Sequence, residues 1–245
     1  LLGKRAARVA VHSFHSLGLA VLRAHGGRLG LPPEIRIAEE GERRATLAAV
    51  LGVGDSRAGS LLKAVSVLKR TGGTGTDEET AARTALDRAG RDQGWVDFDA
   101  LVVLAADVLD THPDVAEAWR GRFSHILADE FQDVDEQQYR LLRLLAGDGG
   151  NLCVIGDPYQ AIYGFRGADA ACFQRFAADY PAAPTLRLSR NYRSSGTIVS
   201  AAAAVIGAPA DGITRAMGEP VTIHAAADAA AEADFVAATI EELLG

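Results

Sequence analysis

The sequence predicts an α/β fold in which helices cover a parallel sheet and a helical segment is inserted into the chain. Two observations indicate this fold. Short apolar runs alternate with amphipathic helical stretches along most of the chain, as in parallel sheets that are covered by helices. Residues 26–93 break the alternation because they show only helical periodicity. Ligands of such sheets bind beyond the carboxyl ends of the strands, so polar residues at those ends are candidate site residues.

The individual elements follow from the same patterns, taken in chain order. Apolar runs predict strands near residues 9–12, 125–128, 152–155, 185–188 and 221–224. Helical periodicity predicts the covering helices over residues 16–25, 97–109, 136–145, 169–180, 195–206 and 228–244. Within residues 26–93, turns that contain Gly or Pro separate several amphipathic helices.

The charge is unevenly distributed. Residues 1–70 contain 12 Lys and Arg against 5 Asp and Glu, whereas the remaining residues contain 13 against 27. A basic patch can bind phosphate groups even though the whole chain has a net charge of −7. Lys69 and Arg70, at the end of one predicted helix, are candidate phosphate contacts. The alternative is an ordinary solvated helix surface.

The composition is that of a folded protein without a membrane span. The chain is 48% hydrophobic and 23% charged, and no apolar run approaches the length of a span. Its first residues lack the features of a secretory signal. Cys153 and Cys172 are too few for a disulfide framework. Their apolar neighbours predict buried thiols, which suits a reducing cytoplasm.

Two adjacent carboxylates, Asp129 and Glu130, follow the strand predicted at 125–128. A Mg²⁺ ion bound to nucleotide phosphates would offset their mutual repulsion. One carboxylate would then join the magnesium shell, and the other would polarise an attacking water. The alternative is that they cap the helix predicted over 136–145, since acidic residues are common before helices.

The loop after the strand predicted at 152–155 has the sequence GDPYQAIYGFRGAD. Gln160 can hydrogen-bond a water or a terminal phosphate, or it is an ordinary turn glutamine. Tyr163, Phe165 and Arg166 match a platform for unpaired bases, in which aromatic faces lie beside a guanidinium. The alternative for the two rings is a buried pair that closes the loop.

A third polar segment, NYRS, follows the strand predicted at 185–188. Its Arg193 precedes the helix predicted over 195–206, and the N-terminus of a helix attracts anions. An arginine that reaches a nucleotide from outside the main sheet would stabilise charge in phosphoryl transfer. The alternative is an ordinary surface or ion-pair arginine.

Four segments in a fixed order resemble motifs of the UvrD/Rep/PcrA-type superfamily 1 DNA helicases. They are SFHSLG at 13–18, ILADEFQD at 126–133, GDPYQAIYGFRGAD at 156–169 and LSRNYRSS at 188–195. The resemblance runs from about residue 9 to the C-terminus and implies a RecA-like fold of the P-loop NTPase type. It divides the chain into residues 1–25 and 94–188 of a first RecA-like domain (1A), an accessory helical subdomain at 26–93 (1B), and the start of a second RecA-like domain at 189–245 (2A).

The resemblance also implies residue roles in ATP hydrolysis. Asp129 would associate with Mg²⁺, and Glu130 would be the catalytic base. Asp157 and Gln160 would face the nucleotide, with Gln160 coupling the terminal phosphate to the DNA groove, and Arg193 would be the arginine finger. The residues that would lie along single-stranded DNA are Phe14, His15, Tyr163, Phe165 and Arg166. The family often has Trp at the position of Phe165.

The function implied by the resemblance is an ATP-dependent 3′–5′ helicase that acts on single-stranded DNA and on junctions of single and double strands, in repair or recombination. The chain contains no G-x-x-x-x-G-K-[ST] phosphate loop. The family places that loop before the first residue and further motifs after Gly245, so we expect an internal segment that does not hydrolyse ATP alone. The alternatives are a non-hydrolysing nucleic-acid-binding module and part of a helicase–nuclease.

Overall fold

A computed structural model describes residues 9–148, 151–162, 164, 172–210, 212–213 and 215–245. The chain divides into two compact units, Leu1–Pro181 and Ala182–Gly245. The predicted base platform of Tyr163, Phe165 and Arg166 lies outside the described residues.

The first unit consists mainly of helices. They are α1 (Phe14–His25), α2 (Glu40–Leu51), α3 (Asp55–Thr71), α4 (Asp77–Gln93), α5 (Phe98–Thr111), α6 (Pro113–Arg120), α7 (Glu136–Ala146) and α8 (Cys172–Asp179). Its strands are β1 (Arg36–Ile37), β2 (Trp95–Val96), β3 (Ile126–Ala128) and β4 (Leu152–Val154). Short 3-10 helices lie at Gly26–Leu29, Phe131–Asp133 and Pro158–Gln160.

The main core lies where α1, α5, α6 and α7 pack together. Leu22, Leu101, Val108 and Leu141 are almost fully buried there. Helices α1 and α5 approach so closely that a Cβ added at Gly18 would lie 2.5 Å from the carbonyl oxygen of Leu101. The apolar faces that the periodicity of these helices predicts are therefore the faces that are buried.

A separate bundle is formed by α2, α3 and α4, which occupy most of residues 26–93. Its core contains Leu47, Leu61, Leu86 and Trp95. A capping box at Thr76 fixes the start of α4, because its hydroxyl accepts from the Glu79 N–H while the Glu79 carboxylate accepts from the Thr76 N–H. The helical character predicted for this segment is confirmed, whereas the two-residue pair of β1 with β2 is not predicted by the sequence.

The second two-stranded sheet is the parallel pair of β3 and β4. Ile126 pairs with Leu152, and Ala128 pairs with Val154. The strands predicted at 125–128 and 152–155, and their parallel direction, are confirmed. Both strands end at the same edge, which brings the segments after them together.

The strands predicted at 9–12, 185–188 and 221–224 are wrong for the structure as described. Val11, Leu188 and Ile223 are 87%, 94% and 95% exposed. A strand requires a hydrogen-bonded neighbour, and none of the described residues pairs with these segments. The described fold is therefore helix-rich, with two small parallel sheets in place of the larger sheet that the sequence predicts.

The second unit contains α9 (Gly196–Ile206) and α10 (Ala229–Leu244). The loop between them folds back on the first helix, because the backbone N–H groups of Gly196 and Thr197 donate to Ala216 and Met217. Both helices agree with the predicted ranges. Among the helices formed by the described residues, none has the length and apolarity needed to cross a membrane.

Candidate functional site

Asp129 and Glu130 lie directly after β3, and both are exposed. The Glu130 N–H donates to Asp129 Oδ1 at 3.0 Å. Glu130 has φ 50° and ψ 43°, a left-handed conformation that costs free energy for a residue with a side chain. The next residue, Phe131, is fully buried against the rings of Tyr139 and Phe173. This buried ring anchors the turn that presents the two carboxylates to solvent.

The cap of α7 is Asp135 and not the carboxylate pair. The Asp135 side chain accepts from the Gln138 N–H at 2.9 Å, and the Gln138 side chain accepts from the Asp135 N–H. The alternative in which Asp129 and Glu130 cap this helix is therefore wrong. Their carboxylates are available for another role.

Asp157 organises the loop that follows β4. Its carboxylate accepts from the Tyr159 N–H at 3.0 Å and from Gln160 Nε2 at 2.9 Å. The two side chains predicted to face the nucleotide are thus hydrogen-bonded to each other. Gln160 itself is exposed within the 3-10 helix Pro158–Gln160.

Gln132 joins the two segments, and sequence reasoning did not select it. Its Nε2 donates to Glu130 Oε2 at 2.6 Å, and its Oε1 accepts from the Asp157 N–H at 3.0 Å. The same two segments are also joined by a backbone hydrogen bond, in which the Phe131 N–H donates to the Ile155 carbonyl at 2.9 Å. The structure therefore brings Asp129, Glu130, Asp157 and Gln160 to one edge. The available sequence signal was a third polar residue inside the segment DEFQD.

Phe14 and His15 lie at the start of α1 and are half-buried. The His15 ring stacks on Phe98 with 3.8 Å between ring centroids. Burial lowers the pKa of His15; the nearby Asp99 carboxylate opposes this shift, and Arg70 adds to it. His15 and Arg70 are therefore neighbours around Asp99.

The predicted phosphate contact at Lys69 is incompatible with its surroundings. Its side chain is 3% exposed, and Nζ lies 2.7 Å from Asp87 Oδ1 and 2.6 Å from Asp97 Oδ2. Burial alone would lower the pKa of Lys69, but these two carboxylates outweigh it and raise that pKa. Arg70 remains one-quarter exposed and lies 3.8 Å from Asp99.

Arg193 belongs to the second unit, and its side chain is exposed. Its backbone is held by a turn in which Asn191 Oδ1 accepts from the N–H groups of Arg193 and Ser194. Arg215 donates to the Arg193 carbonyl at 2.8 Å. The turn fixes the backbone at Arg193, three residues before α9 begins.

The two cysteines have different environments. Cys172 is fully buried, and its thiol lies 3.2 Å from the carbonyl oxygen of Phe131. Cys153 is exposed on β4, so the expectation of a buried thiol is wrong there. Side chains alternate between the two faces of a strand, so Cys153 lies on the face opposite Leu152 and Val154, which pack against the cluster around Phe131.

The family model of the UvrD/REP helicase N-terminal domain matches residues 1–181. The chain belongs to the UvrD/REP helicase family. This confirms the resemblance drawn from the four segments.

Curated relatives in this family carry helicase names. The chain is 41% identical over 162 residues to DNA helicase II of Escherichia coli, which covers 64% of the chain and 22% of that protein. It is 30% identical over 266 residues to ATP-dependent DNA helicase PcrA of Leuconostoc citreum, which covers 99% of the chain and 36% of that protein. A Staphylococcus aureus PcrA is 33% identical over 222 residues, with 84% and 30% covered. The chain thus spans between a fifth and two-fifths of the length of these helicases.

The carboxylates of Asp129 and Glu130 at the β3–β4 edge have the chemistry that suits a magnesium ion whose other ligands are phosphate oxygens. Mg²⁺ keeps several waters and binds through one or two carboxylates together with phosphate oxygens. Asp129 and Glu130 are such a pair, and both reach solvent. The part of the chain that the structure describes contains no cluster of three or more ligating side chains that could form a closed cage. The residues therefore fit Mg²⁺ delivered with a nucleotide.

Proposed function

We propose that this chain is part of an ATP-dependent DNA helicase that couples ATP hydrolysis to translocation on single-stranded DNA and to unwinding of duplexes. The observation that carries the proposal is the placement of Asp129, Glu130, Asp157 and Gln160 at the β3–β4 edge. Gln132 links Glu130 to Asp157 there, and Asp157 accepts from Gln160. The fold would be RecA-like, movement 3′ to 5′, and the setting DNA repair or recombination. Family membership supports each of these assignments.

The domain division is proposed on the same basis. Residues 1–25 and 94–188 would form the first RecA-like domain, and 189–245 would begin the second. The bundle of α2, α3 and α4 supports an accessory subdomain at 26–93. The change of compact unit after Pro181 supports a boundary in this part of the chain.

In the hydrolytic step, the chain's own residues would position the water and the phosphate. Glu130 would accept a proton from the water that attacks the terminal phosphate of ATP, with ADP as the leaving group, and Asp129 would help to hold Mg²⁺ and its waters. Gln160 would contact the terminal phosphate, and Arg193 would be the arginine that stabilises charge on it. Bound Mg²⁺ would neutralise the negative charge of the phosphate oxygens. Because Gln160 shares the Asp157 carboxylate with the Tyr159 backbone, a change at the phosphate can reach the loop that follows.

On the DNA side, the proposed contacts are Phe14, His15, Arg70 and the loop residues Tyr163, Phe165 and Arg166. Lys69 is excluded because both of its neighbouring carboxylates neutralise it inside the bundle. The partners would be single-stranded DNA and single–double-strand junctions. Aromatic stacking is sequence-tolerant, which suits an enzyme that moves along any strand.

The decisive experiment is Glu130→Gln in the complete protein, with Glu117→Gln on the exposed face of α6 as the control. DNA-stimulated ATP hydrolysis should fall by about 10²–10⁴-fold for Glu130→Gln, as expected when a general base is lost. Binding of ATP, measured by equilibrium titration, should stay close to wild type. Hydrolysis that survives the Glu130 change at the level of the control would refute the assignment.

The base platform has its own test. Phe165→Ala in the complete protein should weaken single-strand binding by about 1–3 kcal/mol, with little dependence on base sequence. The salt dependence should hardly change, because no phosphate contact is lost. A large fall in melting temperature without a specific loss of DNA binding would instead identify Phe165 as a packing residue.

A further inference from the structure

Gln132 uses both ends of its amide. It donates through Nε2 to Glu130 Oε2 at 2.6 Å and accepts through Oε1 from the Asp157 N–H at 3.0 Å. Among uncharged side chains of this length, an amide supplies a donor and an acceptor at once. Gln132 is 2% exposed, so its amide has little access to water as an alternative partner, and both bonds are part-buried. Both are therefore costly to lose.

The Glu130 carboxylate needs such a restraint. It belongs to an exposed residue in a left-handed turn, and a free glutamate side chain samples many rotamers. A general base acts only when its oxygen lies within hydrogen-bond reach of the attacking water. The donor from Gln132 selects one orientation of this carboxylate before any substrate arrives.

The surroundings leave Gln132 little freedom of its own. A Cβ added at Gly156 would overlap Gln132 Oε1 and would lie 2.9 Å from the Phe131 backbone nitrogen. Phe131, the residue before Gln132, is fully buried and restricts the position of the backbone there. From Asp157 the hydrogen bonds continue to Gln160 Nε2 at 2.9 Å. The buried amide is thus the link between the carboxylate turn and the Gln160 loop.

We infer that Gln132 is a positioning residue: it orients the Glu130 carboxylate for hydrolysis and ties it to the loop that carries Gln160. This inference rests on the proposed function, in which Glu130 is the base. Gln132 itself contacts no substrate in this account. Its loss should therefore lower the rate of the chemical step more than it lowers nucleotide affinity.

The first test is made on the ligand-free protein. Gln132→Met keeps the length and removes both hydrogen bonds, and Gln174→Met on the exposed surface of α8 is the control. Amide hydrogen exchange should accelerate at Asp157 in Gln132→Met, while the Ile155 amide, which donates to the Ala128 carbonyl at 2.8 Å, should keep its protection. Unchanged exchange at Asp157 would overturn the link.

The second test is steady-state ATP hydrolysis by the complete protein with single-stranded DNA. We expect kcat to fall by about 10–100-fold in Gln132→Met with KM for ATP changed by less than about threefold, since misplacing a catalytic group by 1 Å can cost about 10²-fold. Gln132→Asn, which is too short to span both partners, should show the same split if Gln132→Met folds poorly. An unchanged kcat, or an equal loss in ATP affinity, would overturn the inference. A wild-type protein without DNA-stimulated hydrolysis would instead defeat the proposed function.

Discussion

The β3–β4 edge and the bundle of α2, α3 and α4 use charged side chains in opposite ways. At the edge, Asp129 and Glu130 are exposed, and one hydrogen bond from a buried amide holds the second. In the bundle, Lys69 is buried and forms ion pairs with the carboxylates of Asp87 and Asp97. Charged side chains that are exposed and held in one orientation can contact a ligand. A buried ion whose charge is paired within the fold has a structural role instead. The basic character of residues 1–70 therefore says less about DNA contact than the exposure of each cation.

The largest effect should come from breaking the buried ion group. Lys69→Met leaves Asp97 buried and without its cation, which should lower the free energy of unfolding by about 3–5 kcal/mol. Lys63→Met, at an exposed position on the same helix, is the matched control and should change it by less than about 0.5 kcal/mol. Denaturant unfolding measures both. A similar small change in the two variants would show that Lys69 is not a structural cation.

A smaller loss should follow from filling the space beside Gln132. Gly156→Ala places a methyl group against the Gln132 amide oxygen and the Phe131 backbone, so we expect a loss of about 1–3 kcal/mol. Gly41→Ala on α2 meets nothing within 4 Å and should be neutral or slightly stabilising. Thermal unfolding separates the two. Tolerance of Ala at 156 would mean that the edge is looser than its contacts indicate.

The smallest effect concerns Asp135, which caps α7 close to the edge. Burial raises its pKa to about 6, although the N–H groups of Gln138 and Gln137 and the Arg70 charge oppose the shift. A carboxyl whose pKa is raised on folding stabilises the protein below its unfolded pKa, and this contribution is lost as pH rises through about 6. Asp135→Asn keeps a cap and removes the titration. The dependence of the unfolding free energy on pH between pH 4 and 7 should therefore lose a slope on the order of 1 kcal/mol per pH unit. An identical slope in the variant would assign it to other groups.

Local patterns predicted the helices and the β3–β4 pair well, but they missed the β1–β2 pair. Apolar spacing located α5 and α7 because each buries one apolar face, and the spacing of neighbouring residues shows that face directly. The strand expected at 185–188 failed because apolar residues suit a strand only where a partner strand supplies hydrogen bonds. The burial of Lys69 could not be predicted from its own neighbours, because its partners Asp87 and Asp97 lie outside its helix.

The site was predictable in part for the same reason. Asp129, Glu130 and Gln160 stand out because polar residues directly follow apolar strands. Gln132 escaped attention since its partners lie two residues before it and 25 residues after it. A side chain whose role is to connect two segments carries little signal within either one.

The central claim is that the β3–β4 edge senses the nucleotide and passes its state to the DNA-facing loop through Gln160. The most direct measurement is the affinity of the complete protein for single-stranded DNA, with and without a non-hydrolysable ATP analogue, for wild type and Gln160→Ala. We predict that Gln160→Ala binds DNA nearly normally without nucleotide but shows a much smaller change in affinity when the analogue is added. A Gln160→Ala protein that retains the full nucleotide-dependent change would contradict the account.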